Sequence, residues 1–314
     1  MNFWKQLKKP FFVLAPMADV TDAAFRQIIL GCGRPEVFFT EFVSCEGLCS
    51  PGRDRLLKDL RFSNGERPIV AQFFGSKPEH FYTCAQLARE LGFDGIDINM
   101  GCPDKKVLKQ GSGIALCKNP GLAQEIIKAT RDGAGDLPVS VKTRLGLNSI
   151  DIHNWIPPLL EMKPAALTIH GRTAKEMSNV PAHWDKIGEV AAMAKGTDTV
   201  IIGNGDVLSK EDGRRKAEQY GLDGIMVGRG IFQNPWFFNE SKNPSDITAK
   251  ERLDLLVRHS RLFVELWGGS KNFSVMKKFY KVYVAGWDGA KDLRTRLMNA
   301  DNLRQVEEII NGNG

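Results

Sequence analysis

Through residue 227, short apolar runs alternate with longer stretches whose apolar positions recur at helical spacing. The runs at 11–15, 36–43, 68–74, 95–100, 139–143, 166–170, 199–203 and 224–227 are bounded by Gly, Pro or charged positions and predict buried strands. Between them, helices are expected at 22–30 with Thr21 as N-cap, at 78–92, at 121–131, around 155–161, at 184–194 and at 210–220. A turn-rich excursion with short helical patches, through Ser50, Pro51 and Gly52, follows the second strand. Eight strands with mostly helical crossovers predict an α/β fold, a closed (β/α)8 TIM barrel. The competitor, a doubly wound open sheet, would usually carry G-x-G-x-x-G after its first strand; here that strand ends in Ala15-Pro16-Met17-Ala18.

The pattern then changes. Residues 239–245 are polar and contain Pro244, a linker composition. From Thr248 strand signals stop, and Leu253, Leu256, Val257, Leu262, Phe263 and Leu266 recur at helical spacing. Gly268-Gly269 and Gly286 break this tail into several helices. The expected division is a catalytic barrel at 1–240 followed by a small all-helical C-terminal domain at 241–314.

Composition narrows the class only a little. With 314 residues and 42% hydrophobic content, a full-sized core is available. A net charge of +6 permits an anionic partner without demanding one. No apolar run approaches the roughly 20 residues of a membrane span, and positions 1–9 carry no secretory apolar core. The six cysteines form no C-x-x-C pair, and nothing completes a metal site around Cys45 and Cys49. Free thiols, no metal and a reducing cytoplasm are expected.

In a TIM barrel the C-terminal strand ends form the active face. Here those ends carry Pro16 and Met17, Gln72, Asn99 and Cys102, Lys142 and Arg144, and His170-Gly171-Arg172. The last two carry Gly203-Asn204-Gly205-Asp206 and Gly228-Arg229-Gly230. Their convergence in one pocket points to a ligand, because buried charges are costly unless paired or used. Gly205, Asp206, Gly228 and Arg229 are placed to cradle a phosphate, and Lys142 to face an electron-rich ring. Structural readings stand beside these: tight turns for the glycines, a buried ion pair with Glu41 for Lys142, and a hydrogen-bonded core histidine for His170. FMN suits the set, with one phosphate and one large ring. A phosphosugar is the alternative ligand; it would favour a carboxylate base, and alternation does not settle whether Asp97 points inward.

Together these motifs resemble the tRNA-dihydrouridine synthase family. The resemblance is carried by Ala15-Pro16-Met17 with Thr21 and Phe25, Asn99-x-Gly101-Cys102-Pro103 with Lys106-Val107 and Gly111-x-Gly113, Lys142-x-Arg144, His170-x-Arg172, Gly203-Asn204-Gly205-Asp206 and Gly228-Arg229-Gly230. In the tail, Lys277, Lys278 and Tyr280 through Gly286 and Leu293-Arg294 are similar to the family's helical domain. The resemblance implies an FMN barrel that uses NADPH to reduce uridines of tRNA to 5,6-dihydrouridine. Hydride would pass from N5 of reduced FMN to uracil C6, and Cys102 would be the acid that protonates C5. Pro16, Met17, Gln72, Lys142, His170, Asn204, Gly205, Asp206, Gly228 and Arg229 would hold FMN, Asn99 would contact flavin or base, and Arg172 would lie near the substrate. An acid thiol must stay protonated, so Lys105 and Lys106 are expected to face RNA phosphate rather than Cys102.

The tail concentrates Lys271, Lys277, Lys278, Lys281, Lys291, Arg294 and Arg296 among Phe279, Tyr280, Tyr283 and Trp287. That mixture suits RNA backbone, with Lys277, Lys278, Lys281 and Arg294 as contacts, although most of these aromatics are expected to pack inward. The alternatives are a solvated helix face, a barrel reductase of a small-molecule pyrimidine, and dihydrouridine synthesis on ribosomal RNA. The protein is expected to act as a monomer.

Overall fold

The computed structural model describes residues 2–312. Its strands are β1 Phe11–Leu14, β2 Phe38–Ser44, β3 Ile69–Phe74, β4 Gly95–Met100, β5 Val139–Arg144, β6 Ala166–His170, β7 Val200–Asn204 and β8 Gly224–Val227. All pair in parallel, in the order β1-β8-β7-β6-β5-β4-β3-β2. A parallel bridge from Val13 to Val37 joins β1 to the chain entering β2 and closes the ring. This is the TIM barrel expected from the alternation. The strands read as nearly continuous apolar runs because one face meets the helices and the other fills the barrel.

The barrel interior is apolar below and polar above. Phe11, Val13, Val70, Ala166, Val200, Ile202 and Met226 pack with Trp4 into one buried cluster. Two-residue alternation carries the same inward faces upward from Val70 to Gln72, from Ala166 to Thr168 and His170, from Ile202 to Asn204, and from Met226 to Gly228. Register places Gln72 opposite Asp97 and Asp97 opposite Ser140. Asn99 stands opposite Lys142, and Lys142 opposite Thr168. Asp97 therefore faces inward, which alternation within one strand left open.

Most helices fall where helical periodicity places them, including Pro78–Glu90, Pro120–Ala134, Ile152–Glu161, Trp184–Met193 and Lys210–Tyr220. One local detail differs. Thr21 is not the N-cap of Ala23–Cys32; Asp22 is, its carboxylate accepting from the Phe25 N–H at 2.9 Å, while the Thr21 carbonyl accepts from Arg26. Asp and Thr are both good caps, and only the backbone path decides which side chain reaches the free N–H.

The chain groups into two compact units. One is the barrel, built from Pro35–Gly228 and the N-terminal segment up to Ala18. The other combines Asp19–Arg34 with the chain from Arg229 onward, and no strand occurs in it among the described residues. In this second unit the helix Ala249–Trp267 begins with a reciprocal capping box between Thr248 and Glu251. Helix Ala23–Cys32 packs against it. Phe25 stacks on Phe279 with centroids 5.1 Å apart, and His259 meets Phe279 edge-on at 4.7 Å.

Candidate active site

Cys102 sits in the loop that leaves β4, and its position is set by local hydrogen bonds. Asn99 Oδ1 accepts from the N–H groups of Gly101 at 3.0 Å and Cys102 at 2.9 Å. This short-range turn suits Asn, whose side chain reaches backbone two or three residues ahead. From the other side the Ile114 N–H donates to the Cys102 carbonyl. Gly113 permits that approach: its φ is +61°, and a Cβ there would lie 2.6 Å from the Cys102 carbonyl oxygen. Cys102 is consequently almost buried.

Burial pushes the Cys102 thiol above its ordinary range, and the charge of Asp104 adds to this. Arg144 and Lys142 pull the other way without reversing it. Lys105 and Lys106 are exposed on a short helix, Lys105–Lys109, capped by Asp104. The lowering influences on the thiol are a backbone hydrogen bond at Asp104 and, beyond it, the charges of Arg144 and Lys142 on β5.

Below Cys102 lies a chain of buried amides. Asn99 Nδ2 donates to Gln72 Oε1 at 3.1 Å, and Gln72 Nε2 donates to Asp97 Oδ2 at 2.6 Å. The Ser140 hydroxyl donates to the other Asp97 oxygen at 2.5 Å. Gln72 and Asp97 are fully buried. Burial pushes the Asp97 carboxyl up to about 6, opposed by the hydrogen bonds from Ser140 and Gln72 and the charge of Lys142.

Lys142 points into the barrel mouth and is partly exposed. Burial draws its amine down to about 8, with Arg144 acting in the same sense and Asp97 and Cys102 opposing. Its ammonium has no hydrogen-bond or ion-pair partner among the described residues. Arg144 ties two loops together: its Nε donates to the Gly101 carbonyl at 2.8 Å and its Nη1 to the Thr173 carbonyl at 3.1 Å.

Around the rim the other residues take more local parts. Arg172 is buried, pairs with Asp206, donates to the Val180 carbonyl at 2.6 Å, and lies 3.4 Å from His170 Nε2. Asp206, at φ +46°, also accepts from the Ala182 N–H at 3.0 Å. Asn204 donates to the Met226 carbonyl at 2.8 Å. Gly205, at φ +138°, would bring a Cβ within 2.7 Å of Ala182. At Gly228 the nearest atoms to such a Cβ are Ala15 Cβ and Met17 Sδ, both at 3.8 Å, so room remains above it. Pro16 is buried and Met17 half-buried, while Arg229 is exposed and opens the second unit.

In the second unit the aromatics Phe279, Tyr280 and Tyr283 are buried and the cations face outward. Lys277 pairs with Asp301 at 3.0 Å, Lys278 donates to the Asp19 carbonyl at 2.7 Å, and Arg294 to the Val284 carbonyl at 2.6 Å. Lys281 is exposed. No helix among the described residues is long and apolar enough to cross a membrane.

The family profile described as dihydrouridine synthase matches residues 13–311, from β1 into the last helix. This chain belongs to the dihydrouridine synthase family. A relative from Bacillus subtilis (strain 168), "Probable tRNA-dihydrouridine synthase 2", is 45% identical over 314 residues, covering 98% of this chain and 95% of the relative. A "Probable tRNA-dihydrouridine synthase" from Staphylococcus aureus (strain COL) is 45% identical over 315 residues, covering 98% and 94%. Among solved structures, a 2-naphthoyl-CoA reductase complex aligns with a TM-score of 0.59 at 11% identity, over 76% of this chain and 52% of that one. Histamine dehydrogenase from Rhizobium sp. 4-9 aligns with a TM-score of 0.56 at 14% identity, over 80% and 48%. The chain spans about half the length of these two structures, and the likeness is one of fold. The dihydrouridine synthase relatives match nearly end to end, so barrel and helical tail belong to one family pattern.

Proposed function

We propose that this dihydrouridine synthase reduces uridines of tRNA to 5,6-dihydrouridine, with FMN as cofactor and NADPH as reductant, as a cytoplasmic monomer. The observation that carries the reading is the pairing of a protonated thiol, Cys102, with an unpartnered ammonium, Lys142, at one barrel mouth. An ammonium with no protein partner fits an electron-rich ring carrying carbonyl oxygens. The room above Gly228, beside Met17, fits the approach of a ligand to backbone. FMN would be held by Pro16, Met17, Lys142, His170, Asn204, Gly205, Asp206, Gly228 and Arg229, with Gln72 closing the floor. The chemistry that FMN would supply there is hydride for C6 of the uracil ring.

The remaining chemistry belongs to the chain. Cys102 Sγ–H gives its proton to C5, and the thiolate regains one from solvent, so uridine, NADPH and one proton yield dihydrouridine and NADP⁺. A raised thiol pKa keeps the donor loaded at neutral pH. Asn99 holds the Cys102 loop, and Arg172 orders the rim through Asp206. The tail at 241–314 would serve as an RNA-binding domain, with Lys277, Lys278, Lys281 and Arg294 meeting phosphate and Lys105 and Lys106 adding charge near the thiol. Extruding the base costs a few kcal/mol, which such charge offsets.

The test uses purified protein and unmodified tRNA. The wild type should carry a flavin absorption band, consume NADPH and form dihydrouridine. Cys102→Ala should keep the band and its bleaching by NADPH while product formation falls by about a hundredfold or more, the scale of a lost general acid. Colourless protein, or full product from Cys102→Ala, overturns the reading.

A further inference from the structure

We propose that Asp97 is a positioning residue for Cys102, acting through Gln72 and Asn99. The inference rests on Cys102 being the working thiol. It comes from the direction of the hydrogen bonds rather than from their number.

The N–H groups of Gly101 and Cys102 can only donate, so Asn99 must turn its oxygen towards them. The Asn99 amide nitrogen then points down and needs an acceptor, which is Gln72 Oε1 at 3.1 Å. That choice turns Gln72 Nε2 towards Asp97, where it needs another acceptor, found at 2.6 Å. An ionised carboxylate is acceptor-only and ends the chain with one polarity. Were residue 97 apolar, Gln72 Nε2 would be buried without an acceptor, and only the Asn99 amide would still favour this orientation of Gln72 over its flipped one. The flipped Gln72 presents N–H to N–H at Asn99, and Asn99 loses the partner that holds its own orientation. The thiol loop would then lose a directed clamp while every backbone strand stayed in place.

The scaffold makes the chain rigid. Gln72, Asp97 and Ser140 sit directly opposite one another on β3, β4 and β5, and Ser140 Oγ–H fixes the second Asp97 oxygen at 2.5 Å. All three are buried, so water does not substitute for a missing partner at low cost. Asp97 makes no hydrogen bond to Cys102; it reaches the thiol loop through the two amides, while its charge acts separately on Lys142.

Hydrogen exchange of the full-length protein, read on a peptide spanning 99–104, gives the direct measurement. Asp97→Val should speed exchange there by about tenfold or more, the scale of one buried hydrogen bond left unmade, with peptides of β1 and β8 unchanged. Asp97→Asn keeps an acceptor for Gln72, with Ser140 accepting in turn, and should restore wild-type exchange within about threefold. In the tRNA assay, compared at equal flavin content, Asp97→Val should lower kcat with KM unchanged, and Asp97→Asn, which removes the same charge, should recover kcat. If Asp97→Val does not fold, Gln72→Met interrupts the same chain and should loosen the same peptide. Unchanged exchange at 99–104 in the folded variant, or Asp97→Asn as loose as Asp97→Val, overturns the inference. A wild type without uridine reductase activity overturns the proposed function alone, because the exchange result decides the Asp97 chain by itself.

Discussion

Two charged side chains inside the barrel are held there at a cost in desolvation. The carboxyl of Asp97 is pushed up to about 6 by burial, and the amine of Lys142 is drawn down to about 8 by burial. A carboxyl raised in the folded state adds stability below its ordinary range, and this is lost as pH rises through about 6. An amine lowered in the folded state adds stability above its ordinary range, and this is lost as pH falls through about 8. Between these values both groups are charged and neither contribution is present. Lys142→Met should therefore raise the Tm of the flavin-free protein at pH 7 while lowering the flavin it retains. Thermal melts of apoprotein and flavin content after gel filtration check the two halves, and a lower Tm at pH 7 would make Lys142 a structural cation instead.

At the scale of elements, the strands are legible in sequence because both of their faces are buried, which leaves compact apolar runs between turns. The short helix Lys105–Lys109 is not legible, since five residues with three lysines show no apolar period and only the Asp104 cap defines it. Asn99, Gln72 and Lys142 are legible as strand-end residues. Their partners are not, because pairing depends on register between strands distant in sequence, and one strand's alternation says nothing of it. For that reason the sequence offers Asp97 as a carboxylate without settling its direction, and shows Arg172 at a strand end without showing that it is buried against Asp206. Gly113 belongs to the legible set, and its backbone yields a clear expectation. A side chain there is strained at φ +61° and collides with the Cys102 carbonyl at 2.6 Å and Val107 Cγ1 at 3.0 Å. Gly113→Ala should cost about 1–3 kcal/mol of stability and displace the thiol loop. Urea unfolding and product formation at saturating tRNA measure the two effects, and a neutral substitution would show that the loop relaxes freely.

At the scale of the molecule, the two compact units should answer acid differently. The helical unit holds a fully buried His259, whose Nδ1 lies 2.9 Å from the Tyr283 hydroxyl. Packed among Phe25, Phe279 and Tyr283, it is kept neutral, and burial lowers its pKa to about 3. A base lowered in the folded state contributes stability that is present above its ordinary pKa near 6.5 and is lost as pH falls through about 3. At about 1.4 kcal/mol per pKa unit the full loss reaches about 5 kcal/mol, a large share of the 5–15 kcal/mol that typically holds a folded protein together. His259→Phe removes the titration and gives up the Tyr283 hydrogen bond, worth about 1 kcal/mol. The variant should thus be slightly less stable than wild type at pH 7 and more stable at pH 4, so that the two stability curves cross. Far-ultraviolet circular dichroism during urea unfolding at each pH gives the curves. Parallel curves would place the acid sensitivity elsewhere and leave His259 as a packing residue whose ring nitrogens carry no energetic weight.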